Sequence, residues 1–305
     1  MSRPRAGTRA AELRKQLLRL RRTRQEDFQV TLNRYVVERL LYRLSKSEFA
    51  DSFILKGAML LGTWTVVPHR ATRDVDFLGL GEDSPERLVT VFRELASAEG
   101  ANDAVVFDAD SVRAEEIRED DRYGGLRVRM TADFGGARVS VQIDVGFGDA
   151  VEPAAEWIEY PTLLDLPAPR IRAYTRYSVV SEKLEAIVTL GMLNSRMKDF
   201  FDLWVLSREF EFDGATLAMA IRATFDRRRT RVPPEVPPAL SEEFAGDAAK
   251  QLLWKTFVSR GQLRDGDVGL KEAVGGVRAF AWPVMAALAA GEAEHRAWLP
   301  GGPWG

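Results

Sequence analysis

The 305-residue chain has no cysteine, which excludes disulfides and cysteine-ligated zinc. It has only two histidines, His69 and His295, too few for a histidine-rich metal cage and a poor basis for a histidine triad. Long hydrophobic runs are also scarce. The longest, such as AFAWPVMAALAAG, read as too short and too broken to span a bilayer, so no membrane role is expected. No basic-then-apolar leader with a small-residue cleavage site opens the chain, and the expected compartment is the cytoplasm. There is no internal repeat. What remains is a globular balance of 46% apolar and 29% charged residues, enough for one large domain or two ordinary ones.

The net charge of −2 conceals an asymmetry. Residues 1–24 carry nine basic side chains against Glu12 alone, a net of +8, so the remainder is acidic. RATFDRRRTR (residues 222–231) is a second basic cluster. Segments of this kind suit polyanions, since binding releases condensed counterions. They are equally common as solvated tails, and residues 1–24 are expected to be a partly disordered arm.

From Thr23 to Leu44 the apolar spacing is helical. SPERLVTVFRELASAEG predicts a second helix, with Ser84 as N-cap, Pro85 in the first turn and Gly100 at the stop. Residues 104–147 break into strand-like runs. In ARVSVQIDVGFGD, Val139, Val141, Ile143 and Val145 alternate with polar residues, the mark of a sheet buried on one face. From Ser178 onward the chain reads as largely helical, with VPPEVPP (232–238) as a stiff linker. The expected organisation is an α+β core over residues 25–165 and a helical part over 166–305.

The informative stretch is FILKGAMLLGTWTVVPHRATRDVDFLG, residues 53–79. A strand with Asp74-x-Asp76 in its middle points both carboxylates to one face, roughly 7 Å apart, and Val75 and Phe77 to the other. Such a pair repels itself unless a hard cation such as Mg²⁺ intervenes. Asp144, on a strand expected alongside, is a third candidate ligand. Lys56 and Gly57 form a turn before an apolar helix-like run, a place where backbone N–H groups could cradle phosphate. Thr72 and Arg73 directly precede the acid pair and could touch phosphate oxygens. Further on come Lys183 in SEKLEA, and Arg196, Lys198, Asp199 and Asp202 in NSRMKDFFDL. Taken singly, each has an ordinary reading as a turn, a strand end or a surface ion pair. Their order along the chain is what points to a Mg²⁺-dependent reaction on a nucleoside triphosphate.

That order resembles the nucleotidyltransferase superfamily, the fold of DNA polymerase beta. ERLLYRLSKSEFADSFILKGAMLLGTW, RATRDVDFLG, VQIDVGFGD and SEKLEAIVTLGMLNSRMKDFFDL resemble the AbiEii toxins of abortive-infection and type IV toxin–antitoxin systems, to which the MenT toxins are related. The resemblance implies a bilobed nucleotidyltransferase with a mixed sheet and a helical C-terminal part. It implies NTP and Mg²⁺ as co-substrate and cofactor, the 3′ end of tRNA as acceptor, and a DNA-binding antitoxin of the AbiEi type as partner. It places the family's acid pair on Asp74 and Asp76, its nucleotide-binding lysine on Lys183, and its later acidic motif on Asp199 with Asp202 close by. One departure stands out. The superfamily's second turn residue, Ser or Gly, is Ala58 here, leaving phosphate contacts to backbone N–H groups, Lys56 and Thr72. The alternatives are nucleotidyl transfer to a protein or small molecule, and a non-enzymatic module that binds nucleotide or a partner.

Overall fold

A computed structural model describes residues 6–65, 72, 74–117, 124–261, 263 and 268–305. They form two compact units. The first takes in the described residues up to Gly148 together with Glu156–Ala173; the second comprises Asp149–Ala155 and Tyr174–Gly305.

The first unit is a mixed seven-stranded sheet with helices. In chain order its elements are α1 (Ala6–Arg24), α2 (Phe28–Ser45), β1 (Phe53–Lys56), α3 (Leu61–Trp64), β2 (Val75–Gly79), α4 (Pro85–Ser97), β3 (Val105–Ile117), β4 (Gly125–Phe134), β5 (Ala137–Phe147), β6 (Glu156–Glu159) and β7 (Arg170–Ala173). The strand order is β3-β4-β5-β2-β1-β7-β6. β2 runs parallel to β5 and β1 parallel to β7, while the other neighbours are antiparallel. The alternation in β5 is realised: Val139, Val141, Ile143 and Val145 are all buried. Ser84 caps α4 by accepting from the Arg87 N–H, and Leu88, Val91, Phe92 and Leu95 bury one face of that helix beside β3. The Tyr35 hydroxyl donates to the Asp103 carbonyl at 2.7 Å, and the Arg43 guanidinium bonds the Asp103 carboxylate, so α2 is fixed to the start of β3.

The N-terminal stretch differs from expectation. Ala6–Arg24 is a helix, with Ala10, Leu13 and Leu17 buried against the unit; Arg14, Lys15, Arg19, Arg21 and Arg22 are exposed, while Arg9 is half-buried and donates to the Asn102 carbonyl at 3.2 Å. Residues 1–5 lie outside the described residues. The helical pattern read from Thr23 divides here, because Gln25 takes a positive φ and Asp27 caps α2 by accepting from the Gln29 N–H at 2.7 Å. β7 lies beyond residue 165 yet completes the first unit's sheet.

The second unit is helical, as expected: α5 (Arg176–Leu190), α6 (Met197–Glu209), α7 (Gly214–Arg227), α8 (Glu242–Gly246), α9 (Ala248–Gly261) and α10 (Leu270–Ala290), with a small antiparallel ribbon of β8 (Phe212–Asp213) and β9 (Ala297–Trp298). Phe200, Phe201, Phe212, Phe225, Phe244, Phe280, Trp254 and Trp298 supply much of its core. VPPEVPP joins elements within this unit. α10 corrects the expectation of a short, broken run. It is 21 residues long and apolar enough to cross a membrane on length and composition, with Pro283 inside it. It packs on α6 and α7, burying Val274, Val277, Phe280, Ala281, Val284 and Met285.

Candidate active site

The end of β1 and the glycine after it set the geometry in the first unit. Gly57 has φ +74°, a left-handed conformation that costs a side-chain-bearing residue energy. A Cβ there would lie 2.1 Å from Oδ2 of Asp76 and 2.9 Å from its Cβ. The turn therefore has to be glycine twice over, and the Asp76 carboxylate rests in the space this leaves. After Gly57 the chain continues as a 3₁₀ turn to Leu60 and then α3.

Register explains the rest. Lys56 pairs with Asp76 across β1–β2, Asp76 with Asp144 across β2–β5, and Asp144 with Arg127 across β5–β4. Paired residues share a face, so four charges in the order Lys, Asp, Asp, Arg form one row across four strands. Their chain neighbours Leu55, Val75, Phe77, Ile143, Val145, Leu126 and Val128 are buried on the other face. Two acids side by side repel, and the flanking bases offset that. Asp74 departs slightly from expectation: β2 begins at Val75, and Asp74 is exposed just before it. Thr72 donates its hydroxyl to the Asp74 carbonyl at 3.4 Å. Arg73 lies outside the described residues.

Arg127 was not singled out from sequence. Its Nε donates to Oδ1 of Asp144 and its Nη2 to Oδ2, both at 2.8 Å, a two-pronged ion pair. Nothing in GLRVRM marks one arginine over another; only the β4–β5 register selects it.

In the second unit Lys183 on α5 bridges two acids of the first turns of α6. Its Nζ lies 2.7 Å from Asp199 and 2.8 Å from Asp202, and Arg196 Nε lies 2.8 Å from the other Asp199 oxygen. Both carboxylates are fully buried and Lys183 nearly so. Burial pushes the Asp199 carboxyl up, but Lys183 and Arg196 outweigh it and hold the group below its ordinary value. Lys198 is not part of this group: it is exposed, while Asp199 and Asp202 turn inward.

The model for nucleotidyl transferase AbiEii toxins of type IV toxin–antitoxin systems matches residues 39–289. The chain belongs to this family. Two solved structures from Helicobacter pylori are similar in fold. One, described as a candidate nucleotidyltransferase, is 15% identical with a TM-score of 0.51, covering 88% of this chain and 99% of that one. The other, JHP933, is 15% identical with a TM-score of 0.50, covering 86% and 94%. At that identity the likeness speaks for the fold alone. Comparison with curated proteins finds no match.

This AbiEii protein is thus a nucleotidyltransferase with the α+β fold and helical C-terminal part expected from its sequence, and its family implies an antitoxin partner. Nucleotidyltransferases use an NTP and a divalent metal. Among the described residues no group of three or more acidic or imidazole side chains is gathered closely enough to hold an ion. The donor set still fits a hard cation of the Mg²⁺ kind, which takes one or two carboxylates and completes its shell with substrate phosphates and water. Asp76 in the Gly57 space and Asp74 beside it meet that need. Asp144 is next in the row, with both oxygens accepting from Arg127.

The basic cluster at 222–231 is divided. Arg228 turns inward, 2.9 Å from Glu185, 3.2 Å from Asp149 and 3.4 Å from Glu182. Burial opposes its charge, yet these three acids raise its pKa above the ordinary arginine value. Arg222, Arg227, Arg229 and Arg231 are exposed.

Proposed function

We propose that this AbiEii protein is a Mg²⁺-dependent toxin that transfers a nucleotide from an NTP to RNA, at the 3′ end of tRNA, and so blocks translation in the cytoplasm as a phage defence. The observation that carries this reading is the Asp76 carboxylate seated against Gly57, between Lys56 and Asp144 in one cross-strand row. In the reaction the acceptor hydroxyl oxygen bonds the α-phosphorus while its proton passes to solvent, the bond between the α-phosphorus and the bridging oxygen breaks, and diphosphate leaves.

Asp74 and Asp76 would hold the metal, with Asp144 as a further ligand. Bound there, Mg²⁺ would neutralise triphosphate charge and favour attack by the hydroxyl. Lys56, the cross-strand partner of Asp76, would meet phosphate, as would Thr72 and Arg73, which precede the acid pair. Asp144, with both oxygens accepting from Arg127, is better suited to fixing charge than to taking a proton. In the second unit, Lys183 takes the role of nucleotide-binding lysine, oriented by Asp199 and Asp202, with Arg196 adding charge at Asp199. The partner would be a DNA-binding antitoxin of the AbiEi type.

The test uses purified protein, Mg²⁺, each α-³²P-labelled NTP in turn and total bacterial tRNA, beside Asp74→Ala and Asp76→Asn. Label on tRNA with wild type alone is the expected result. Label following a protein band and ignoring RNA would replace the acceptor, and full activity in Asp76→Asn would remove the proposed site.

A further inference from the structure

We infer that the solvent face of α1 is a docking surface for the phosphate backbone of the RNA acceptor. The inference rests on the RNA reading above, and adds where RNA is held. α1 lies outside the segment matched by the AbiEii family model, which begins at residue 39.

Three observations carry it. First, the charges form a row. At about 100° per residue, Lys15, Arg19 and Arg22 succeed one another at four- and three-residue steps, opposite the buried Leu13 and Leu17. Arg14 and Arg21 lie together along one side of that row, nearer the buried face, and all five are exposed. Second, the row is not neutralised by its own helix. Glu12 is the single acid of α1, and it pairs with Arg9 at 3.4 Å. Like charges three and four residues apart weaken a helix, so only packing of its inner face keeps this one folded. Basic residues in the last turn would suit the helix dipole, which accounts for Arg21, Arg22 and Arg24 but not for Lys15 and Arg19 in the middle. Third, the chemistry of the face selects its partner. A helix that lies in a membrane needs a free apolar face, and the apolar face of α1 is already buried on the sheet unit. A protein interface needs apolar or aromatic anchors at its centre, whereas the exposed positions of this row are basic and the one apolar residue bordering it, Leu18, is half-buried. Rich in arginine and ordered on a helix, it fits a polyanionic backbone.

The test measures binding of fluorescein-labelled bulk tRNA by anisotropy at 50–200 mM KCl, with the full chain and with Lys15→Gln/Arg19→Gln/Arg22→Gln. Removing three phosphate contacts flattens the log–log salt dependence by about 2.7. The ratio of variant to wild-type Kd then shrinks by about 40-fold between 50 and 200 mM. The charge-keeping variant Lys15→Arg/Arg19→Lys/Arg22→Lys retains the wild-type slope. The melting temperature of the glutamine variant should equal or exceed that of wild type, since like-charge pairs are relieved. Parallel salt slopes for wild type and the glutamine variant overturn the inference. So does a variant that loses binding to phosphatidylglycerol vesicles alone, which would make the partner a lipid surface. If wild type labels no RNA while the tRNA slopes still differ, the docking surface stands and the RNA-transfer reading falls.

Discussion

Replacing Gly57 by alanine should damage fold and site together. The left-handed φ of +74° costs an alanine about 1–2 kcal/mol. The new Cβ, 2.1 Å from Asp76 Oδ2, must push that carboxylate aside, an overpacking worth roughly 1–3 kcal/mol. The sum, about 2–5 kcal/mol, lowers the melting temperature by about 2–4 °C for each kcal/mol. Gly136→Ala provides the internal control. Gly136 also has a positive φ, of 86°, but open space where the Cβ would go, so it reports the backbone cost alone. Calorimetric unfolding of both variants isolates the Asp76 clash as their difference. Titration with Mn²⁺ then asks whether the displaced carboxylate still binds. A Gly57→Ala protein that melts with Gly136→Ala and binds Mn²⁺ like wild type would refute both the geometry and the placing of the metal.

Lys183→Met should destabilise the second unit by about 3–5 kcal/mol in urea unfolding, because it leaves the buried Asp199 and Asp202 short of their shared cation. Glu38 gives a pH signature. Buried beside Arg39, with its Oε2 accepting from the Leu163 N–H, it is pushed up to about 7, burial outweighing both partners. The folded protein therefore holds a proton that the unfolded chain releases near 4.5. The stability this gives is complete below that value and lost as pH rises through about 7. Urea midpoints in Glu38→Gln should lack that decline between pH 5 and 7.5, whatever their absolute level. Trp298→Ala should cost about 3–5 kcal/mol in the same assay, since it empties a buried site against Phe280 and Trp304 and removes the bond from Nε1 to the Ser207 carbonyl at 2.6 Å.

How far the sequence could be read follows from how local each signal is. Ser84 announced α4 because an N-cap is a matter of four residues, and β5 showed itself through strict alternation. The family motifs led to Gly57, Asp76 and Lys183, and the structure places each in a distinct charged setting. What escaped were facts of pairing. Arg127 matters only because β4 lies beside β5 in one register. Lys198 looked equivalent to its neighbours until the helix phase turned it outward. The ordered state of α1 was hidden because its charge suggested a solvated arm, whereas three small or branched apolar residues on one side are enough to seat it.

The parallel pairing of β2 with β5 also has a consequence in time. Asp76 and Asp144 are neighbours in space but about 70 residues apart in the chain. At 5–20 residues per second, a ribosome needs roughly 4–14 s to pass from one to the other. β1 waits longer still for β7. Through that interval the nascent toxin carries the glycine turn and its first acids without the strand that completes their row. The row is complete only once about half the chain has been made, leaving the cell several seconds per molecule before any chemistry at this sheet can start.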